Sequence, residues 1–150
     1  MLQSRRLLRR FLSLPAERAT PSCPRSPPTL TTLTVLFDGA CPLCRNEIGI
    51  YRGLKARAPV SFSDISDASV SLPAGTTRAQ LLSRFHVCEP DGKLLSGAEA
   101  FLALWERMPG WRWLAFLGRA PGAAWAMERA YVSFLRFRPT IQRWVKERLE

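Results

Sequence analysis

The spacing of hydrophobic positions changes several times along the chain. Leu33-Thr34-Val35-Leu36-Phe37 is a short β-rich run, ended by the polar turn Asp38-Gly39. Pro42 then suits the first position of a helix, where its missing amide has no intrahelical partner. Ile48, Tyr51 and Leu54 recur at helical spacing among Arg45, Arg52, Lys55 and Arg57, which predicts an amphipathic helix reaching Arg57 and stopped by Pro59. Val60–Ile65 alternates as a half-buried strand. A polar loop reaches Gly75, and Thr77 caps a short helix over Arg78–Phe85. His86–Glu89 and Lys93–Leu95 flank Pro90-Asp91-Gly92, the pattern of a β-hairpin. Gly97–Met108 reads as a helix with Phe101, Leu102 and Trp105 inward. Pro121 and Pro139 divide the remainder into three helical pieces, about 111–119, 122–137 and 140–149.

Strand, helix, strand, helix, strand, strand, helix is a βαβ unit followed by a ββα unit. This α/β order resembles a thioredoxin-like domain, with a mixed four-stranded sheet and extra C-terminal helices. The predicted organisation is a basic segment over 1–31, a core over 32–108, and a helical extension over 109–150 packed on that core. The parallel first half requires a right-handed crossover. It puts the segment after the first strand at the carboxyl edge of the sheet, where open α/β folds bind ligands.

That segment holds Cys41-Pro42-Leu43-Cys44. Cys41 falls at the helix N-cap, where orphan amides and the helix dipole favour a thiolate. Cys44, one turn on, is placed to close a disulfide or resolve a mixed one. Dithiol redox chemistry follows: Cys41 the nucleophile, helped by the nearby Arg45, and Cys44 the less exposed resolving thiol. Asp38 either relays a thiol proton or closes the loop through its amides. His86, the only histidine, begins the third strand and is a candidate for tuning a thiol. This reading needs no metal or organic cofactor. The alternative is a zinc-stabilised, non-enzymatic interaction module. Cys88 shares a strand face with His86, so Cys41, Cys44, His86 and Cys88 would form its four-ligand site.

Composition adds an address. Half of the net charge of +10 lies in residues 1–30, where six Arg face a single acid, Glu17. Leu2, Leu8, Phe11 and Leu12 alternate with arginine in this stretch, and a Pro/Ser/Thr-rich spacer follows. The pattern fits a mitochondrial presequence directing the chain to the matrix; a bacterial origin would make the protein cytoplasmic. Cys23 lies in the spacer and is expected to be lost on maturation, without a function. No apolar run is long enough to span a membrane. Helically spaced Trp105, Trp111, Trp113, Trp125 and Trp144 read as core. The basic positions Arg129, Arg136, Arg138, Arg143, Lys146 and Arg148 read as a solvated face, with no specific nucleic-acid partner.

The spaced motifs together are more specific than the Cys pair. Leu36-Phe37-Asp38-Gly39, with Cys41 and Cys44, resembles the Asp-x-x-Cys-x-x-Cys signature of the DCC family of thiol-disulfide oxidoreductases. Phe62-Ser63-Asp64-Ile65, Arg84-Phe85-His86-Val87, Asp91-Gly92 and Ser96-Gly97-Ala98-Glu99-Ala100-Phe101 resemble its later landmarks, and the match runs over about 33–138. The resemblance implies a thioredoxin-like fold and dithiol exchange with a disulfide-containing protein or a small thiol. One departure stands out. Thioredoxins carry a cis-proline before the third strand, and this chain has Phe85-His86.

Overall fold

The computed structural model describes Cys23 and residues 31–149. Its elements are β1 (Leu33–Phe37), α1 (Pro42–Gly53), β2 (Val60–Asp64), α2 (Arg78–Ser83), β3 (His86–Cys88), β4 (Leu94–Ser96), α3 (Ala98–Arg107), α4 (Arg112–Leu117) and α5 (Ala123–Leu149). The four strands form one sheet in the order β2-β1-β3-β4. β1 runs parallel to β2 and antiparallel to β3, which pairs antiparallel with β4. This is the mixed, thioredoxin-like arrangement that the element order predicts.

Period-two alternation gives the sheet two dry faces. Leu33, Val35 and Phe37 of β1 join Val87 and Leu95 against Ile48 and Tyr51 of α1 and Ala100 and Leu104 of α3. Leu36 points the other way, into a smaller cluster with Ile65, Leu81, Cys23 and Cys88. Leu33, Val35, Val87 and Leu104 have no exposed surface. Each contributes roughly 1.5–3 kcal/mol by burial.

Three sequence expectations need correction. α1 ends at Gly53, not Arg57, because Leu54 turns extended and the chain crosses to Arg107, whose carbonyl accepts the Arg57 amide. α2 ends at Ser83, and Arg84 is extended. The break expected at Pro139 is absent: α5 is one helix of 27 residues with the proline inside. Proline removes a single amide donor there, and anchors on both sides hold the helix in line.

The firmest anchor is Glu128. One carboxylate oxygen accepts from the Ala98 amide (3.0 Å), capping α3 where the N-cap residue, Gly97, has no side chain to do so. The other pairs with Arg84. Gly97 adopts φ 61°, and a Cβ there would lie 2.4 Å from both Arg84 and Glu128 atoms, so the position accepts no side chain. Tyr131 accepts the Phe85 amide at 2.7 Å. Among the described residues no peptide bond is cis, including that between Phe85 and His86.

A fourth correction concerns Cys23, for which the sequence predicts no function. It forms a disulfide with Cys88 and donates its amide to the Gly92 carbonyl at 2.9 Å. The rest of the predicted basic segment, residues 1–22 and 24–30, lies outside the described residues. Opening the disulfide by Cys23→Ser should lower the unfolding free energy by about 4 kcal/mol, the chain entropy of a bridge spanning 65 residues. An unchanged urea midpoint under non-reducing conditions would show that the bond carries no stability.

Candidate active site

β1 delivers the chain to the sheet edge, and the loop Asp38–Ala40 turns it into α1. Two carboxylates shape that loop. Asp38 Oδ1 accepts the Ala40 amide (3.0 Å), and the Asp38 carbonyl accepts the Cys41 amide (3.2 Å). Asp64, at the end of β2, accepts the Gly39 amide (2.9 Å) together with the amide and hydroxyl of Ser66. Gly39 serves this close approach and not a left-handed turn, since its φ is not positive. A Cβ on it would lie 1.9 Å from the Asp64 carboxylate.

Cys41 is the N-cap of α1, with Pro42 at the first helical position. Its sulfur accepts the Cys44 amide at 3.4 Å. Two further donors arrive from α5. Gln142 Nε2 donates to the Cys41 sulfur (2.9 Å), and Arg138 Nη2 donates to the Cys44 sulfur (3.2 Å). Arg138 also donates to the Leu82 carbonyl (3.3 Å), so α2, α1 and α5 meet at this one guanidinium. Both cysteines are free thiols.

The two thiols are electrically unlike. Burial pushes Cys41 up, but the Cys44 amide and thiol, Gln142 and Arg138 together outweigh it and hold the thiol below its ordinary value. Burial, a hydrogen bond to Cys41 and the Cys41 charge push Cys44 up to about 12, against the opposing pull of Arg138. The expected order of exposure is reversed: Cys41 is only 4% exposed beneath α5, and Cys44 is half-buried.

Beside Cys44 lies a cleft of about 280 Å³ between α1, α2 and α5, walled mainly by apolar side chains such as Leu43, Leu82, Phe85 and Phe134. Asp38, Glu47 and Arg138 are its charged members on the cysteine side. Burial raises the Glu47 carboxyl, partly offset by the Tyr51 hydroxyl, which donates to it at 3.3 Å, and by Arg138.

The other sequence candidates are not gathered here. Arg45 is exposed, and Arg138 takes the role assigned to it. His86 faces the opposite cluster. Its Nδ1 donates to the Arg84 carbonyl (3.0 Å), with the Leu81 carbonyl at 3.3 Å, since carbonyl oxygens only accept. Burial first, then the Arg84 charge, lowers its pKa against the pull of those two carbonyls. Cys88 does share the face of His86, but its sulfur is bonded to Cys23 and is no thiolate ligand. The four-ligand zinc set therefore does not assemble. Among the described residues no group of three His, Cys, Asp or Glu is disposed to hold a metal ion.

Sequence reasoning missed Arg138 and Gln142. Their i, i+4 spacing marks one helical face, but only if the helix continues through Pro139. Replacing either with Ala should raise the midpoint of the pH profile for Cys41 alkylation by iodoacetamide. A lost hydrogen bond to a charged sulfur cuts the thiolate population near neutrality by roughly tenfold. Midpoints that stay put in both variants would mean that α5 does not set the charge on this sulfur.

Two comparisons relate the chain to known proteins. An uncharacterized chloroplastic protein of Arabidopsis thaliana is 31% identical over 83 residues, which cover 53% of this chain and 39% of that protein. The chain thus spans about two fifths of that relative's length. No solved structure gives a significant match. The profile of the DCC1-like thiol-disulfide oxidoreductases matches residues 35–144, which include both cysteines and both donors from α5, and the chain belongs to that family.

Proposed function

We propose that the protein is a dithiol oxidoreductase in which Cys41 attacks and Cys44 resolves. The observation that carries this reading is a pair of free thiols one helical turn apart, with Cys41 at the N-cap accepting the Cys44 amide and Gln142 and Cys44 accepting Arg138. These contacts lower Cys41, whereas burial raises Cys44. In the reducing direction the Cys41 thiolate attacks one sulfur of a substrate disulfide. That S–S bond breaks, a Cys41–substrate disulfide forms, and the other substrate sulfur leaves as a thiolate that takes up a proton. Cys44 then loses its proton and attacks the Cys41 sulfur. The second substrate thiol departs, the Cys41–Cys44 disulfide remains, and two electrons have passed to the substrate.

The site has a means of timing the second attack. Two influences that raise Cys44, the hydrogen bond and the charge of Cys41, vanish once Cys41 enters a mixed disulfide. The Arg138 charge, which lowers Cys44, stays. Burial, the largest influence raising Cys44, remains, so the first attack lowers the barrier to ionising Cys44 without removing it. Asp38 holds the loop that presents Cys41 and has no proton-transfer role in this scheme. The substrate class is a disulfide- or thiol-containing protein or a small thiol.

Cys44→Ser should accumulate reducible mixed disulfides on Cys41 when exposed to glutathione disulfide or an oxidised protein, and Cys41→Ser should not. Folded Cys44→Ser protein that captures no adduct, read by intact mass, would sink the mechanism.

We also propose an organellar location, supported by the Arg-rich residues 1–30 and by the chloroplastic relative. The mitochondrial matrix is the compartment that segment's composition favours. A fluorescent fusion of the whole chain should coincide with a matrix marker, whereas a diffuse cytosolic signal would refute organellar import.

A further inference from the structure

Three of the five tryptophans, read from sequence as core, are on the surface. Trp105 and Trp111 pack against the main cluster, but Trp113, Trp125 and Trp144 are 57–67% exposed. On α5, Phe137 is exposed as well, and on α4 Phe116 and Leu117. At 3.6 residues per turn, Trp125, Arg129, Arg136, Phe137, Arg143 and Trp144 share one half of α5. Glu128, Tyr131, Arg138 and Gln142 point from the other half to their partners in the domain. The outward half is therefore aromatic and basic at once, with Glu147 its only acid.

We infer that the outward half of α5 is a docking surface for an anionic lipid bilayer. Indole rings and arginine stems are amphipathic, and a headgroup region accepts both the apolar body and the charged tip. Anionic headgroups complement the guanidinium charges of this face, which among the described residues pair with no carboxylate. The same charges disfavour two other occupants, a second copy of this face and the equally basic residues 1–30. RNA fits less well for a geometric reason. Single-stranded bases stack on open aromatic faces. Here the Arg129 guanidinium lies 5.3 Å from the Trp125 ring centre and Arg148 lies 4.8 Å from that of Trp144, so one face of each ring is already taken by a cation and each ring has a single face left for a base. Docking would be peripheral, because among the described residues no helix is long and apolar enough to cross a membrane. This inference does not depend on the redox reading.

The test is sedimentation of the full chain with phosphatidylcholine vesicles, with and without phosphatidylglycerol, combined with tryptophan quenching by doxyl-labelled lipid. Binding and quenching are expected only with phosphatidylglycerol. Arg129→Glu with Arg143→Glu should weaken binding at least about tenfold, and added salt should do likewise. Trp125→Ser with Trp144→Ser should remove most of the quenching and serves as the second probe if the charge variant misfolds by circular dichroism. Residues 1–30 are common to every protein compared, so any attraction they exert cancels. Absent binding, or binding and quenching indifferent to both variants, would overturn the proposal. So would a single-stranded RNA complex or a homodimer that the same substitutions abolish while vesicle binding persists.

Discussion

The site rests on the way Glu128 fixes α5 to the domain. One carboxylate caps α3 and pairs Arg84, and three residues later Tyr131 accepts the Phe85 amide just before β3. From Glu128 to Gln142 a helix climbs about 21 Å, at 1.5 Å per residue. That rod carries Arg138 and Gln142 to cysteines 94 and 101 residues distant in sequence. Without it, Cys41 keeps only the donors of its own helix. The strand-turn-helix unit supplies a reactive position, and the docked C-terminal helix supplies the charge that makes its two thiols unlike.

Magnitudes explain why the arrangement works at a nearly buried sulfur. Taking a thiolate out of water opposes ionisation, and burial is the largest single influence on Cys41. A hydrogen bond to a charged acceptor contributes about 1.5–3 kcal/mol. Several such donors converge on Cys41 and together overcome its burial. Cys44 has Arg138 alone on the lowering side, and there burial and the neighbouring sulfur win.

The parts legible in the sequence are those set by local periodicity. β1, the N-cap at Cys41, the Thr77 cap and the hairpin around Gly92 depend on residues within one turn or one strand of each other, and the sheet order follows from the element order. The contribution of α5 is not local. Pro139 is a strong break signal, and its override depends on tertiary anchors at Glu128, Tyr131, Arg138 and Gln142 that no window of sequence contains. The Cys23–Cys88 bond spans 65 residues and begins in a stretch whose composition resembles a spacer. The tryptophans mislead for another reason: indoles at helical spacing look alike whether their stripe faces a core or the outside. His86 and Cys88 were correctly paired on one strand face. Which side of the sheet that face covers is decided by the packing of α2, not by strand periodicity.

Two demands conflict at Cys41. Stabilising a thiolate calls for donors packed on the sulfur, and exchange calls for a sulfur that a substrate can reach. The structure divides these demands across Pro139. Arg138, on the side anchored by Glu128 and Tyr131, provides the lasting charge and binds the resolving sulfur. Gln142, beyond the missing backbone hydrogen bond, contributes a neutral amide to the attacking sulfur. A substrate that displaces Gln142 removes one neutral donor from the charged sulfur, a loss of about 1.5–3 kcal/mol if water or substrate replaces it poorly. Displacing Arg138 instead would strip a charged donor from Cys44 and also leave the Leu82 carbonyl without its guanidinium partner. The cheaper opening is therefore the one that exposes the nucleophile, and the charge that lowers Cys44 stays in place while it happens.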